Sequence, residues 1–134
     1  EKGDGEELVF INPILSHPKG NEEADEGCLS LPGLYGNVTR AKQIHLQAFN
    51  LSGDEFKADL TGLFARVVQH ENDHLNGVLF TDRMTTTGKL AVRESLEEFE
   101  LEQQSLRNME QVDSDQEIQQ RLTEWEQKYC RTTE

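Results

Sequence analysis

No apolar run in this 134-residue sequence approaches the roughly 18 residues a membrane span needs. No secretory signal pattern is visible either. Basic residues are scarce: 13 Lys and Arg stand against 26 Asp and Glu, a formal net charge of −13. Phosphate repels such a chain, which argues against non-specific nucleic-acid binding. There are two cysteines, Cys28 and Cys130, far apart. They do not make a disulfide framework, and free thiols or a metal thiolate in a reducing compartment fit better. Apolar residues make up only 34 %. That allows one modest core and leaves part of the chain to solvent or incompletely folded. There is no initial Met, and residues 1–7 are polar. A native polar N-terminus and a chain entered partway through a longer protein both fit that opening.

Along the chain, Leu8 to Ile11 reads as a short buried strand ended by Asn12-Pro13. Ser16 to Asp25, polar with Pro18 and Gly20, reads as a loop. Leu29 to Leu31 is a second short apolar piece, stopped by Pro32-Gly33. Ile44, Leu46 and Ala48 alternate, Ser52-Gly53-Asp54 signals a turn, and Phe56, Ala58 and Leu60 alternate beyond it. This is the pattern of a β-hairpin. From Thr61 the period becomes helical, with Leu63, Phe64, Val67, Val68 and Leu75. Thr61 suits the N-cap and Gly77 the C-terminal cap. Val78-Leu79-Phe80 is a short apolar segment, and Thr85 to Gly88 is linker-like. The Glu- and Gln-rich remainder reads as two helices broken near Asp113-Ser114, the second started by a Ser114–Glu117 capping box. The expected fold is α+β: short antiparallel strands packed around a central helix, then a C-terminal helical extension. The expected division is 1–87 and 88–134.

His70-Glu71-Asn72-Asp73-His74 is an H-E-x-x-H pattern on the expected helix. On a helix, His70 and His74 lie about 40° apart, so both imidazoles can reach one ion. Glu71 stands beside them, placed to move a proton. Leu63 and Val67 share that arc, so the histidines are expected to point into the protein, where a divalent metal would satisfy them. The pattern alone is loose, and a charged helix with two incidental histidines is the alternative. A catalytic site needs a third ligand and an open position. Two residues compete: Glu94, twenty residues after His74, and Cys28, which follows Glu26-Gly27.

The surroundings of Cys28 bring a resemblance. Glu26-Gly27-Cys28-Leu29-Ser30 resembles the E-G-C-L-S motif of peptide deformylases. Gln69-His70-Glu71-Asn72-Asp73-His74-Leu75 resembles that family's Q-H-E-x-D-H-L motif. The likeness runs from about Leu8 to about Arg83, and the tail is expected to carry none of it. It implies an incomplete catalytic domain that removes the N-formyl group from the initiator methionine of new polypeptides. It also implies one divalent ion on Cys28, His70 and His74, natively Fe2+, with Zn2+, Ni2+ or Co2+ as substitutes. Glu71 would be the general acid/base, and the backbone N–H of Leu29 would stabilise the oxyanion. The family's second oxyanion donor, a glutamine in an upstream G-x-G-x-A-A-x-Q motif, has no match in this sequence. Loss of one such donor typically costs on the order of 10²–10³ in rate.

By the same resemblance Tyr35 is expected to touch the substrate peptide, and Leu63 and Val67 to line a methionine pocket. Phe64 is expected in the core. Glu26 is expected to support a ligand histidine or to be a solvated loop charge, and Asp73 to pair with Arg40. His17 and His45 fit no ligand spacing, and Cys130 reads as a free thiol. The implied partners are N-formyl-methionyl nascent peptides, with no membrane and no nucleic acid held by the acidic tail. The implied location is a bacterial-type cytoplasm or an organelle. Two other readings stand beside this one: a zinc metallopeptidase with Glu94 as third ligand, and a non-catalytic metal-binding remnant.

Overall fold

The computed structural model describes residues 7–130, so all but the last residue of the polar opening lies outside the described residues. The chain divides into two compact units, 1–92 and 93–134.

The first unit is built on a three-stranded antiparallel sheet in the order β1 (Ile11–Cys28), β2 (Leu31–Phe49), β3 (Glu55–Thr61). The expected hairpin forms β2 and β3, with Leu46 opposite Ala58 and Ala48 opposite Phe56. Its turn is held by the Asn50 side chain, whose Oδ1 accepts from the Ser52 and Asp54 amides. The period-two pattern sends Ile44, Leu46 and Ala48 to one face, where they bury against Leu60, Ala65 and Val68.

β1 departs from expectation. Asn12-Pro13 does not end a strand, and Ser16 to Asp25 is not a loop: both lie within β1, paired to β2 from Ile11–Phe49 to Cys28–Leu31. The turn-forming residues are absorbed by register shifts between Ile11 and Ile14 and between Ser16 and Lys19, where Asn12 and His17 take φ of +50°. β1 is an edge strand, and an edge tolerates prolines and bulges that a central strand would not. Nor are Leu8, Val9 and Ile11 buried; all three are exposed. Leu29 and Ser30 form the turn into β2, and only Leu31 of that apolar piece is buried.

α1 (Gly62–Leu75) follows β3 directly and packs on β2 and β3 through Ala65 and Val68. Thr61 is the N-cap residue by backbone geometry but makes no side-chain cap. Gly77, with φ of +69°, follows the C-cap Asn76 in the left-handed conformation that ends helices cheaply only in glycine. α2 (Phe80–Arg83) buries Phe80, and Met84 bridges to Val38 of β2. The stretch read as a linker instead starts α3 (Thr86–Ala91), because the Thr85 hydroxyl accepts from the Gly88 amide.

The second unit holds α4 (Arg93–Asn108) and α5 (Asp115–Tyr129). Ser114 caps α5 as expected: its Oγ accepts from the Glu117 amide, and Glu117 accepts from the Ser114 amide. No helix among the described residues is long and apolar enough to cross a membrane.

Candidate metal centre

Cys28 ends β1, and His70 and His74 lie one turn apart on α1. The strand end and the helix face bring their ligand-capable atoms within 4.8 Å of one another. The Cys28 Sγ is 3.3 Å from His74 Nε2. The two imidazole rings are 4.8 Å apart and nearly perpendicular. A tetrahedral ion with bonds of about 2.1 Å to nitrogen and 2.3 Å to sulfur sets such atoms about 3.5 Å apart. The donor set therefore fits a borderline-soft divalent metal, with one position left open. Among the described residues, this group of three is drawn from the first unit alone; Glu94 belongs to α4 in the second.

Burial pushes the Cys28 thiol up, but hydrogen bonds from Ser30, His70 and His74 outweigh it and bring it down to about 7. The Ser30 amide donates to Sγ at 3.4 Å. A thiol so placed supplies thiolate readily near neutral pH. His70 turns its Nδ1 to Glu26, donating to Oε2 at 3.1 Å. That bond leaves Nε2 as the free ligand atom of the neutral ring. Desolvation works against the protonated His70 ring, yet the bonds to Glu26 and Cys28 raise its pKa above the ordinary value.

Glu26 is no solvated loop charge. It is 8 % exposed and accepts from Arg40 Nε at 2.7 Å, Arg40 Nη2 at 2.9 Å and Arg66 Nη1 at 2.6 Å, besides His70. Burial alone would raise its pKa, but these donors hold it below the usual carboxylate range. The Arg40–Asp73 pair also exists, at 2.7 Å, with Arg40 6 % and Asp73 5 % exposed. Arg83 adds two more bonds to Asp73, at 2.6 and 3.1 Å.

A cleft of about 410 Å3 opens beside the three ligands. Leu29, Leu63, Val67 and Glu71 line it with Glu26. The helix face is open, however. Leu63 is 76 % exposed and Val67 and Glu71 are exposed too, so the shared arc faces the cleft and not a packed interior. The buried side of α1 carries Ala65, Arg66, Val68 and Asp73. Tyr35 is not among the residues lining the cleft. Its ring lies on Gly27, where an added Cβ would come within 2.6 Å of Cε1. Phe64 is exposed rather than in the core; it meets Phe10 edge-on and lines an adjoining apolar groove that shares Val67, Glu71 and His74 with the cleft. Gln69 spends both ends of its amide on the Ala41 and Ala65 backbone, so it has no group left for the cleft. His17 and His45 pair their rings away from the ligands, and Cys130 is exposed and free. Sequence reading missed Arg66 and Arg83. Arg66 stands one turn before His70, which was the available signal.

Residues 1–90 match the family model described as Polypeptide deformylase. The chain belongs to that family. It is 43 % identical to a peptide deformylase of Rhodopirellula baltica over 129 residues, 96 % of this chain and 64 % of the relative. It is 46 % identical to the chloroplastic peptide deformylase 1B of Oryza sativa over 100 residues, 74 % of this chain and 37 % of the relative. Among solved structures, Arabidopsis thaliana peptide deformylase 1B in complex with an inhibitor matches with a TM-score of 0.72 at 41 % identity. That match covers 81 % of this chain and 59 % of the solved one. A peptide deformylase from Legionella pneumophila gives 0.65 at 37 %, over 75 % and 60 %. The chain thus spans less than two thirds of the length of each of these relatives. The match to the Rhodopirellula protein reaches into the acidic extension, whereas the family model ends at residue 90.

Proposed function

We propose that this chain carries the catalytic centre of a metal-dependent peptide deformylase, which releases formate from N-formyl-methionyl peptides. The observation that carries the reading is the meeting of Cys28, His70 and His74 within 4.8 Å beside the exposed Glu71. These residues would hold one divalent ion, Fe2+ natively, with Zn2+, Ni2+ or Co2+ able to replace it. When bound, the ion supplies Lewis acidity and activates water at neutral pH.

The chain's own residues supply the rest. Glu71 takes a proton from the attacking water and returns it to the leaving amine. The Leu29 amide donates to the formyl oxygen as charge develops there. Leu63 and Val67 offer apolar surface to the methionine side chain. Tyr35, on Gly27, contacts the peptide beyond it. Glu26 fixes the ring of His70, while Arg40 and Asp73 lock that support in place. The helix α1 is in this reading the metal-binding helix around which the strands are arranged. Residues 1–87 form the deformylase part and 88–134 the acidic helical extension. Bacterial and organellar relatives suit a bacterial-type cytoplasm or an organelle as the location.

Hydrolysis of a formyl-Met peptide by the metal-loaded chain tests this reading. Glu71→Gln should keep the metal and lose at least about 10² in rate, the usual weight of a general acid/base. Full activity in that variant contradicts the role of Glu71.

A further inference from the structure

Two residues one turn apart on α1 grip the same carboxylate of β1. His70 Nδ1 donates to Glu26 Oε2 at 3.1 Å, and Arg66 Nη1 donates to Glu26 Oε1 at 2.6 Å. Glu26 lies two residues before Cys28, across the register shift between Gly27 and Cys28, and both side chains reach α1: Glu26 at Arg66 and His70, Cys28 at His74. The grip on Glu26 therefore also sets how far the Cys28 sulfur stands from the helix that carries both imidazoles.

Arg66 is anchored beyond Glu26 as well. Its Nη1 donates to the Val38 carbonyl at 3.0 Å and its Nη2 to the Glu22 carbonyl at 2.6 Å. One guanidinium thus ties α1 to β1 and to β2 beside the ligands. It is 7 % exposed, and no buried side-chain polar atom in the described residues is left without a partner. Arg40 of β2 also joins strand and helix, forking onto Glu26 and bonding Asp73 of α1, but Arg66 is the tie made from α1 itself, one turn before His70.

We infer that Arg66 is a positioning residue of the metal centre: acting through Glu26, it holds β1 against α1 at the spacing where Cys28, His70 and His74 share one ion. The inference rests on the metal-binding reading above. Arg66 lines the cleft, but its hydrogen bonds go to Glu26 and to the Val38 and Glu22 carbonyls and to none of the three ligand atoms. Its effect is on how well the three ligands are set before the metal arrives.

The test is Co2+ affinity of the full chain, measured by chelator competition, with the visible and thiolate charge-transfer absorption of the Co2+ form as a second readout. Arg66→Met should weaken Co2+ binding by roughly 10–100-fold and diminish the thiolate band. Arg66→Lys, which keeps the charge without the fork, should fall between. In a Glu26→Gln background, Arg66→Met should add little further loss, because its partner is already gone. Arg93→Met serves as control. It removes an exposed cation paired only with Glu97, so it should leave both the melting temperature and the Co2+ affinity unchanged.

Unchanged affinity and spectrum in folded Arg66→Met and Arg66→Lys overturn the inference alone. So does an undiminished, additive loss in the Glu26→Gln background, because Arg66 would then not act through Glu26. Failure of the unaltered chain to bind Co2+ overturns the metal-binding reading beneath it. If Arg66→Met does not fold by circular dichroism, the lysine variant and the Glu26→Gln pair decide.

Discussion

Glu26 and Asp73 are the residues whose surroundings most clearly show how this chain spends buried charge. Two carboxylates face three guanidiniums, those of Arg40, Arg66 and Arg83, with bonds from 2.6 to 3.1 Å. A buried pair of this kind adds little over an apolar pair of equal volume, but removing one member strands the other. Arg40 bonds both carboxylates, so its loss takes a charged partner from each, while Arg66 still holds Glu26 and Arg83 still holds Asp73. Arg40→Met should destabilise the fold by about 1.5–3 kcal/mol, read by urea unfolding. Arg93, exposed and paired with Glu97 one turn on, is the contrast: Arg93→Ala should shift the urea midpoint by nothing measurable. Equal midpoints for the two variants would mean that the network contributes no more than a surface pair.

The helices show a cap at work. Ser114 and Glu117 bond reciprocally at the start of α5. Those bonds from Ser114 hold the Glu117 carboxyl below its usual range. A carboxyl lowered by folding contributes helix stability above its ordinary range and loses it as pH falls through the lowered value. The helicity gap between the chain and Ser114→Ala, followed by circular dichroism at 222 nm, should therefore be present at neutral pH. It should close on acidification below the carboxylate range. A gap independent of pH would assign the cap to the hydroxyl alone.

This cap was legible in the sequence because it is local: four residues and one pattern. So was the β2–β3 hairpin, whose alternation and turn are contiguous, and so was α1. β1 was not legible, because Asn12, Pro13, Pro18 and Gly20 carry loop chemistry that only an edge position with bulges can absorb. That position is a fact of tertiary pairing. The site followed the same divide. Cys28, His70, Glu71 and His74 stood in recognisable motifs. Arg66 and Arg83 did not, since their meaning depends on carboxylates forty and ten residues away. The exposed cleft face of α1 was misread for a related reason: periodicity marks an apolar arc without saying what covers it.

For the molecule as a whole, charge sets what it can approach. The net charge of −13 is shared by an extension in which acids outnumber bases. Such a surface repels RNA, so docking on a ribosome through this extension is not expected. Co-sedimentation with ribosomes should be unchanged when residues beyond Arg93 are removed, and a loss on truncation would contradict that. The proposed chemistry depends instead on the meeting of a strand end with a helix face, and metal retention reads that meeting directly. The deciding measurement is elemental analysis of the chain and of Cys28→Ala after anaerobic purification. About one ion per chain, lost in the variant, is the expected result for a Cys-His-His centre with an open position. Equal metal in both would contradict it and place the ion on ligands other than Cys28.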